Sequence, residues 1–205
     1  MTKTKKTEEE HNPIIEEPIL GDVLKEEEQK DIPAVDATLT REYVTAEAND
    51  ITRELYDKTR YGEPQQNKTF QYSLHEALYL SERGKLRILD GKKELTSDTY
   101  LKKARKAEPN FWIRYCVFRD LRKRGYIVKT ALKFGADFRV YDRGVKPGED
   151  HARWIVYAVS EGETLTWYEY SAKNRVAHST RKRLLLAIVD AEGDTTFYEC
   201  RWMRP

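Results

Sequence analysis

Leu184-Leu-Leu-Ala-Ile-Val189 is a run of six apolar residues, and it restricts the fold of this chain more than any other segment. A strand with no polar alternation has to be buried on both faces, which helices on either side of a sheet provide. The neighbouring segments supply such helices and further strands. Phe111, Tyr115, Phe118 and Leu121 recur at helical spacing between Asn110, a predicted N-cap, and Gly125, a predicted stop, with Arg and Lys on the other face. Residues 126–130, 138–141 and 154–159 are rich in β-branched and aromatic side chains and read as strands, separated by turns at Gly135 and at Gly144 to Gly148. Residues 165 to about 177 read as a second helix, Asp190-Ala-Glu-Gly-Asp194 as an acidic turn, and 195–202 as a last strand. The expected C-terminal unit, 107–205, is a mixed sheet flanked by two helices.

Ahead of it the spacing predicts a small mixed unit over 41–106. Ile51, Leu55 and Tyr56 mark one helix, and Ser73 with Glu76 three residues later form a capping-box signature for another that Gly84 closes. Short strands around Asp90-Gly91 and a helix over 96–104 complete it. The fold class is therefore α/β (α+β), a small N-terminal mixed domain followed by a larger one. Residues 1–40 contain three Pro and two acidic clusters with few aliphatics, which predicts a disordered tail.

The formal charge of +2 over 205 residues hides a polarity: residues 1–50 hold 6 basic and 14 acidic residues, and the remainder 31 and 21. A basic globular part favours a polyanionic partner, nucleic acid being the commonest; a solvated, highly charged surface is the alternative. No run approaches the ~20 apolar residues of a membrane span, and the N-terminus has no signal-peptide core. Cys116 and Cys200 are too few for a disulfide framework or a cysteine zinc site, so a reducing, cytoplasmic setting is expected. The four scattered His carry no metal-ligand spacing. His75 and His178 stand beside helix signals and apolar residues and read as structural.

The segment Tyr115-Cys-Val-Phe-Arg-Asp-Leu-Arg-Lys-Arg-Gly-Tyr-Ile-Val-Lys-Thr-Ala-Leu-Lys-Phe-Gly-Ala-Asp-Phe-Arg-Val-Tyr141 strongly resembles the archaeal tRNA-splicing endonuclease family. His151, Asn174-Arg-Val-Ala-His-Ser-Thr-Arg-Lys182, and residues 185–190 followed by Gly193-Asp194 extend the match, which runs from about residue 50 to the C-terminus. The resemblance makes 107–205 the catalytic domain of a metal-free, cofactor-free endoribonuclease. It implies cleavage of precursor tRNA at both exon–intron junctions of a bulge-helix-bulge fold, leaving 2′,3′-cyclic phosphate and 5′-hydroxyl ends. The family's catalytic Tyr, His and Lys correspond to Tyr141, His151 and Lys182.

Those residue types suit the chemistry. Cleaving RNA through its own 2′-hydroxyl needs a base for that hydroxyl, an acid for the departing 5′-oxygen and positive charge beside the phosphorane. Imidazole, with an ordinary pKa of ~6.5, suits the acid, and a lysine suits charge stabilisation; a phenol serves as base where neighbouring cations favour phenolate. Outside the resemblance each has a plainer reading: strand-end packing, a solvent-facing loop His, surface charge.

The resemblance further implies that Arg175 and Trp202 sandwich a bulged base, although Trp202 could equally pack the last strand, with Arg201 adjacent. Lys129, Lys133, Arg139 and Arg143 are candidate phosphate contacts or solvated charge. Asp190, Glu192 and Asp194 match a loop that enters a basic pocket of a neighbouring subunit, although an ordinary turn needs only Gly193. One motif set per chain and two cuts per substrate imply a homotetramer, or a dimer of heterodimers with a separate structural subunit. Two other functions are weighed: a noncatalytic RNA-binding subunit on the same fold, and a metal-dependent DNA nuclease. The second needs clustered carboxylates, and Asp137, Asp142, Glu149 and Asp150 show no such spacing.

Overall fold

A computed structural model describes residues 32–145, 147–148 and 151–203. Positions 1–31 of the expected tail lie outside the described residues. The rest of it is ordered: Val35–Leu39 forms strand β1, with Val35 and Ala37 buried and Asp36 and Thr38 exposed. The alternation is five residues long and its parallel partner, β5 (Leu86–Asp90), lies fifty residues away, so composition masks it. Order thus begins before Ile51.

β1 also pairs antiparallel with β2 (Tyr43–Glu47), and β2 with β4 (Thr69–Ser73). With the short β3 (Glu63–Pro64) and β6 (Lys93–Glu94), they form a six-stranded sheet of order β3-β4-β2-β1-β5-β6. Helices α1 (Asp50–Thr59), α2 (Leu74–Glu82) and α3 (Ser97–Ala107) accompany it. The cap expected for α2 forms in full: Ser73 Oγ accepts from the Glu76 N–H, and the Glu76 carboxylate accepts from the Ser73 N–H at 3.0 Å.

The C-terminal unit comprises α4 (Phe111–Lys123), β7 (Ile127–Thr130), a 3-10 turn (Leu132–Phe134), β8 (Phe138–Tyr141), β9 (Trp154–Ser160), α5 (Trp167–Ser179), β10 (Arg183–Val189) and β11 (Thr195–Cys200). The sheet order is β11-β10-β9-β8-β7, parallel at β9–β10 and antiparallel elsewhere. This is the mixed sheet the sequence predicts. Asn110 stands at the N-cap of α4, but its side chain makes no capping hydrogen bond.

The apolar strand is covered on both sides. Leu185, Ala187 and Val189 join the core that contains Phe111, Phe118 and Leu121 of α4; Leu184 joins a second core with Ile155, Tyr157 and Ala177 of α5. Burying each leucine contributes about 2 kcal/mol, so a polar residue on either face would be costly. The α4-side core runs on without a break into the N-terminal sheet. Tyr79 of α2 meets Phe118 edge-on at 5.7 Å, and His75 stacks on Phe111 at 4.7 Å. His75 is thus a buried packing residue, as the sequence predicts. No helix among the described residues is long and apolar enough to cross a membrane.

Candidate active site

Strand register brings the predicted residues to one edge of the C-terminal sheet. Val140 on β8, Trp154 on β9 and Arg183 on β10 lie on a single rung. Tyr141 is the next residue out on β8. His151 is exposed, three residues ahead of Trp154, and Lys182 immediately precedes Arg183. Because β8 runs opposite to β9 and β10, one chain end and two chain starts converge there. Extending the β10–β11 register by two residues places Trp202 opposite Lys182.

Face follows from alternation along each strand. Phe138 and Val140 enter the α4-side core, so Tyr141 points to the α5 side, where it is 5% exposed. Lys182 stands two residues before Leu184, a member of the α5-side core. Its ammonium donates to the Thr180 carbonyl at 3.0 Å and lies 5.5 Å from the centroid of Phe134.

The turn that delivers Lys182 has a definite cause. Lys182 N–H donates to Ala177 O at 2.9 Å and Arg181 N–H to His178 O at 3.0 Å, a Schellman closure of α5. Arg181 holds the left-handed position of that motif with φ 55°, where glycine is the usual occupant.

The same edge is tied by ion pairs that reading the sequence missed. Arg153 donates to both carboxylate oxygens of Asp142, at 3.0 and 3.2 Å, linking the residue after Tyr141 to the entry of β9. On the α4 side, the Glu199 side chain is only 2% exposed. It accepts from Trp154 Nε1 at 2.8 Å, Arg183 at 3.1 Å and Arg201 Nε at 2.7 Å. Burial pushes this carboxyl up, but the Trp154 and Arg201 donors and the charges of Arg183 and Arg201 outweigh burial and hold it below the usual carboxylate range. The available signal was a lone carboxylate two residues after Phe197 and two before Arg201, at a position whose period-2 face is inward.

Arg175 and Trp202 stand on either side of His178. Arg175 and His178 are three apart on α5 and share a face, and the Trp202 indole meets the His178 ring at 4.5 Å and 59°. Trp202 is 50% exposed, so it does not pack the core of the last strand. His178 is exposed beside it.

Asp190, Glu192 and Asp194 lie at the other end of β10, roughly 20 Å along the strand from Lys182. Their turn is locked by Asp194 N–H donating to Asp190 Oδ1 at 2.8 Å and by Arg119 reaching Gly193 O at 3.3 Å. Gly193 has φ 86°, and a Cβ there would come to 3.2 Å from Cys116 Sγ, so glycine is required on two counts. Glu192 and Asp194 remain exposed.

Among the proposed phosphate contacts, Lys129 is corrected by the structure: it is 5% exposed and bonded to Gly62 O and Glu76. It lies on β7 against the N-terminal unit, where no phosphate could reach it. Arg139 pairs with Glu63 at 3.8 Å, Arg143 lies over the Tyr126 ring at 5.1 Å, and Lys133 is exposed. Of the four carboxylates weighed as metal ligands, Asp137 is paired with Arg114 at 2.6 Å and Asp142 with Arg153, while Glu149 and Asp150 lie outside the described residues. No group of three or more His, Cys, Asp or Glu among the described residues is placed to hold a metal ion.

Comparison with known proteins gives the same family from both halves. Residues 111–197 match the model of the tRNA intron endonuclease catalytic C-terminal domain, and 35–101 that of its N-terminal domain. A tRNA-splicing endonuclease of Methanothermobacter thermautotrophicus is 42% identical over 171 residues, 83% of this chain and 99% of the relative. One from Thermococcus onnurineus is 39% identical over 170 residues, covering 83% and 97%. One from Nanoarchaeum equitans is 46% identical over 138 residues, 64% of this chain and 88% of the relative. With two domain models matched in order along one chain and relatives aligned over nearly their whole length, this protein belongs to the tRNA intron endonuclease family.

Proposed function

We propose that this endonuclease cuts precursor tRNA at the exon–intron junctions of a bulge-helix-bulge fold without a metal, with Tyr141, His151 and Lys182 as the reacting group. The observation that supports it is the shared sheet edge: three strands deliver a phenol, an imidazole and an ammonium to one side of one rung. Tyr141 takes the proton of the 2′-hydroxyl. The 2′-oxygen then attacks the adjacent phosphorus, and the bond to the 5′-oxygen breaks. His151 delivers a proton to that leaving oxygen, and Lys182 offsets the charge gathered on the phosphorane. The products are a 2′,3′-cyclic phosphate and a 5′-hydroxyl, and no water is consumed.

Arg175 and Trp202 hold an unstacked bulge base, a contact worth ~1 to 3 kcal/mol per base. Glu192 and Asp194, exposed on the far turn, supply the acidic contact for self-association into a homotetramer that presents two reacting groups to one substrate.

The test is incubation of the purified chain alone with an intron-containing precursor tRNA in excess EDTA, followed by analysis of the fragment ends. Exon-sized fragments with cyclic phosphate and 5′-hydroxyl ends are expected. Binding without cleavage would instead assign the chain to a noncatalytic role or to an assembly with a missing subunit, and cleavage abolished by EDTA would overturn the metal-free chemistry.

A further inference from the structure

Each donor to the Glu199 carboxylate belongs to a different chain segment, and each segment carries a residue of the candidate site. Trp154 opens β9 three residues after His151; Arg183 follows Lys182; Arg201 precedes Trp202. The carboxylate lies on the α4 side of the sheet, while Lys182 and Trp202 extend to the α5 side. We propose that Glu199 is a positioning residue, a single buried anion that fixes the relative placement of the His151, Lys182 and Trp202 segments from behind the sheet. The proposal rests on the reading of those residues given above.

Backbone pairing alone leaves this edge loose. His151 precedes the first paired residue of β9, Lys182 the first of β10, and Trp202 follows the last of β11. Side-chain ties must therefore hold them. Arg183 Nη1 reaches Oε1 at 3.1 Å and Oε2 at 3.4 Å, and Arg201 Nε reaches Oε1 at 2.7 Å, so two guanidiniums share one oxygen while the Trp154 indole takes the other. Charge-assisted bonds in a site this dry are short and directional. Losing the charge frees both guanidiniums, and a glutamine amide cannot accept from the guanidiniums and the indole together, because one of its ends is itself a donor.

The experiment is single-turnover cleavage of a bulge-helix-bulge RNA by enzyme in excess, alongside equilibrium binding of the same RNA with a 2′-deoxy block at the cut site. Glu199→Gln is expected to lower the cleavage rate at least 30-fold while changing the RNA Kd less than 3-fold. Trp154→Phe, which keeps the ring and removes one donor, is expected to lower the rate about 5-fold. Ile88→Val, a mild core truncation in the N-terminal sheet, is the stability control and is expected to leave the rate unchanged. A Glu199→Gln rate within 3-fold of wild type would overturn the proposal, as would rate and Kd falling together. A loss matched by Ile88→Val at equal urea midpoint would do the same, and should Glu199→Gln fail to fold, Trp154→Phe decides between these outcomes. Failure of the underlying reading looks different: Lys182→Ala would then cleave normally, or wild-type enzyme would not cut this RNA.

Discussion

The ammonium of Lys129 lies 3.1 Å from Glu76 Oε1, both side chains almost fully buried, and this pair joins β7 of the C-terminal sheet to α2 of the N-terminal unit. Gly62 closes the arrangement, its carbonyl accepting from Lys129 at 2.7 Å and its N–H donating to Glu76 Oε1 at 3.2 Å. Removing one partner strands the other charge away from water. Lys129→Met should therefore cost about 3 to 5 kcal/mol. Urea denaturation measures it; a midpoint equal to wild type would mean that the pair is dispensable.

His75 makes stability depend on pH. Burial, reinforced by the Arg114 guanidinium and opposed by the Phe111 backbone, drives its pKa down to about 3. The unfolded chain takes up this proton first as pH falls below the ordinary ~6.5, so the native state is fully favoured above that value. It then loses up to ~1.4 kcal/mol per pH unit toward pH 3. Burial raises the neighbouring Glu108, which acts in the opposite sense on acidification. His75→Phe should flatten the fall in urea midpoint between pH 6.5 and 4; an unchanged slope would remove the assignment.

Arg181 sits in the left-handed region with φ 55° at the end of α5. A residue with a Cβ pays roughly 1 kcal/mol there, so Arg181→Gly should raise the melting temperature by about 2 to 4 °C for a protein of this size. A lower melting temperature would show that the guanidinium contributes more than the strain costs.

His151→Ala should reduce cleavage by about 10²- to 10⁴-fold, the usual contribution of a positioned acid, with RNA binding retained. Arg175→Ala should weaken binding of bulged RNA by ~1 to 3 kcal/mol and spare a plain duplex. Normal cleavage by the first variant would remove His151 from the reacting group. Equal losses on both RNAs by the second would make Arg175 a general phosphate contact.

Glu192 and Asp194 point out of a turn that Asp190, Arg119 and Gly193 hold rigid. Their joint replacement by Ala should lower the oligomer mass in light scattering without unfolding the chain. The same mass after substitution would take the acidic turn out of the assembly.

Local sequence carries much of this protein. Ser73 and Glu76 announce the start of α2 because a capping box needs only four consecutive residues, and residues 184–189 demand cover on both faces because no residue in the run tolerates water. The Tyr141, His151 and Lys182 motifs identify the family outright. Other features depended on partners distant in the chain. Val35–Leu39 becomes a strand because β5 pairs with it, and the surrounding acidic composition conceals five alternating residues. Lys129 reads as surface charge until α2 brings Glu76 against it across 53 positions. Glu199 gathers Trp154 from 45 residues away and Arg183 from 16, and only strand order makes them neighbours. Periodicity and capping are short-range and survive in the sequence; which charges share a buried site is set by chain crossings, and tertiary structure alone decides it.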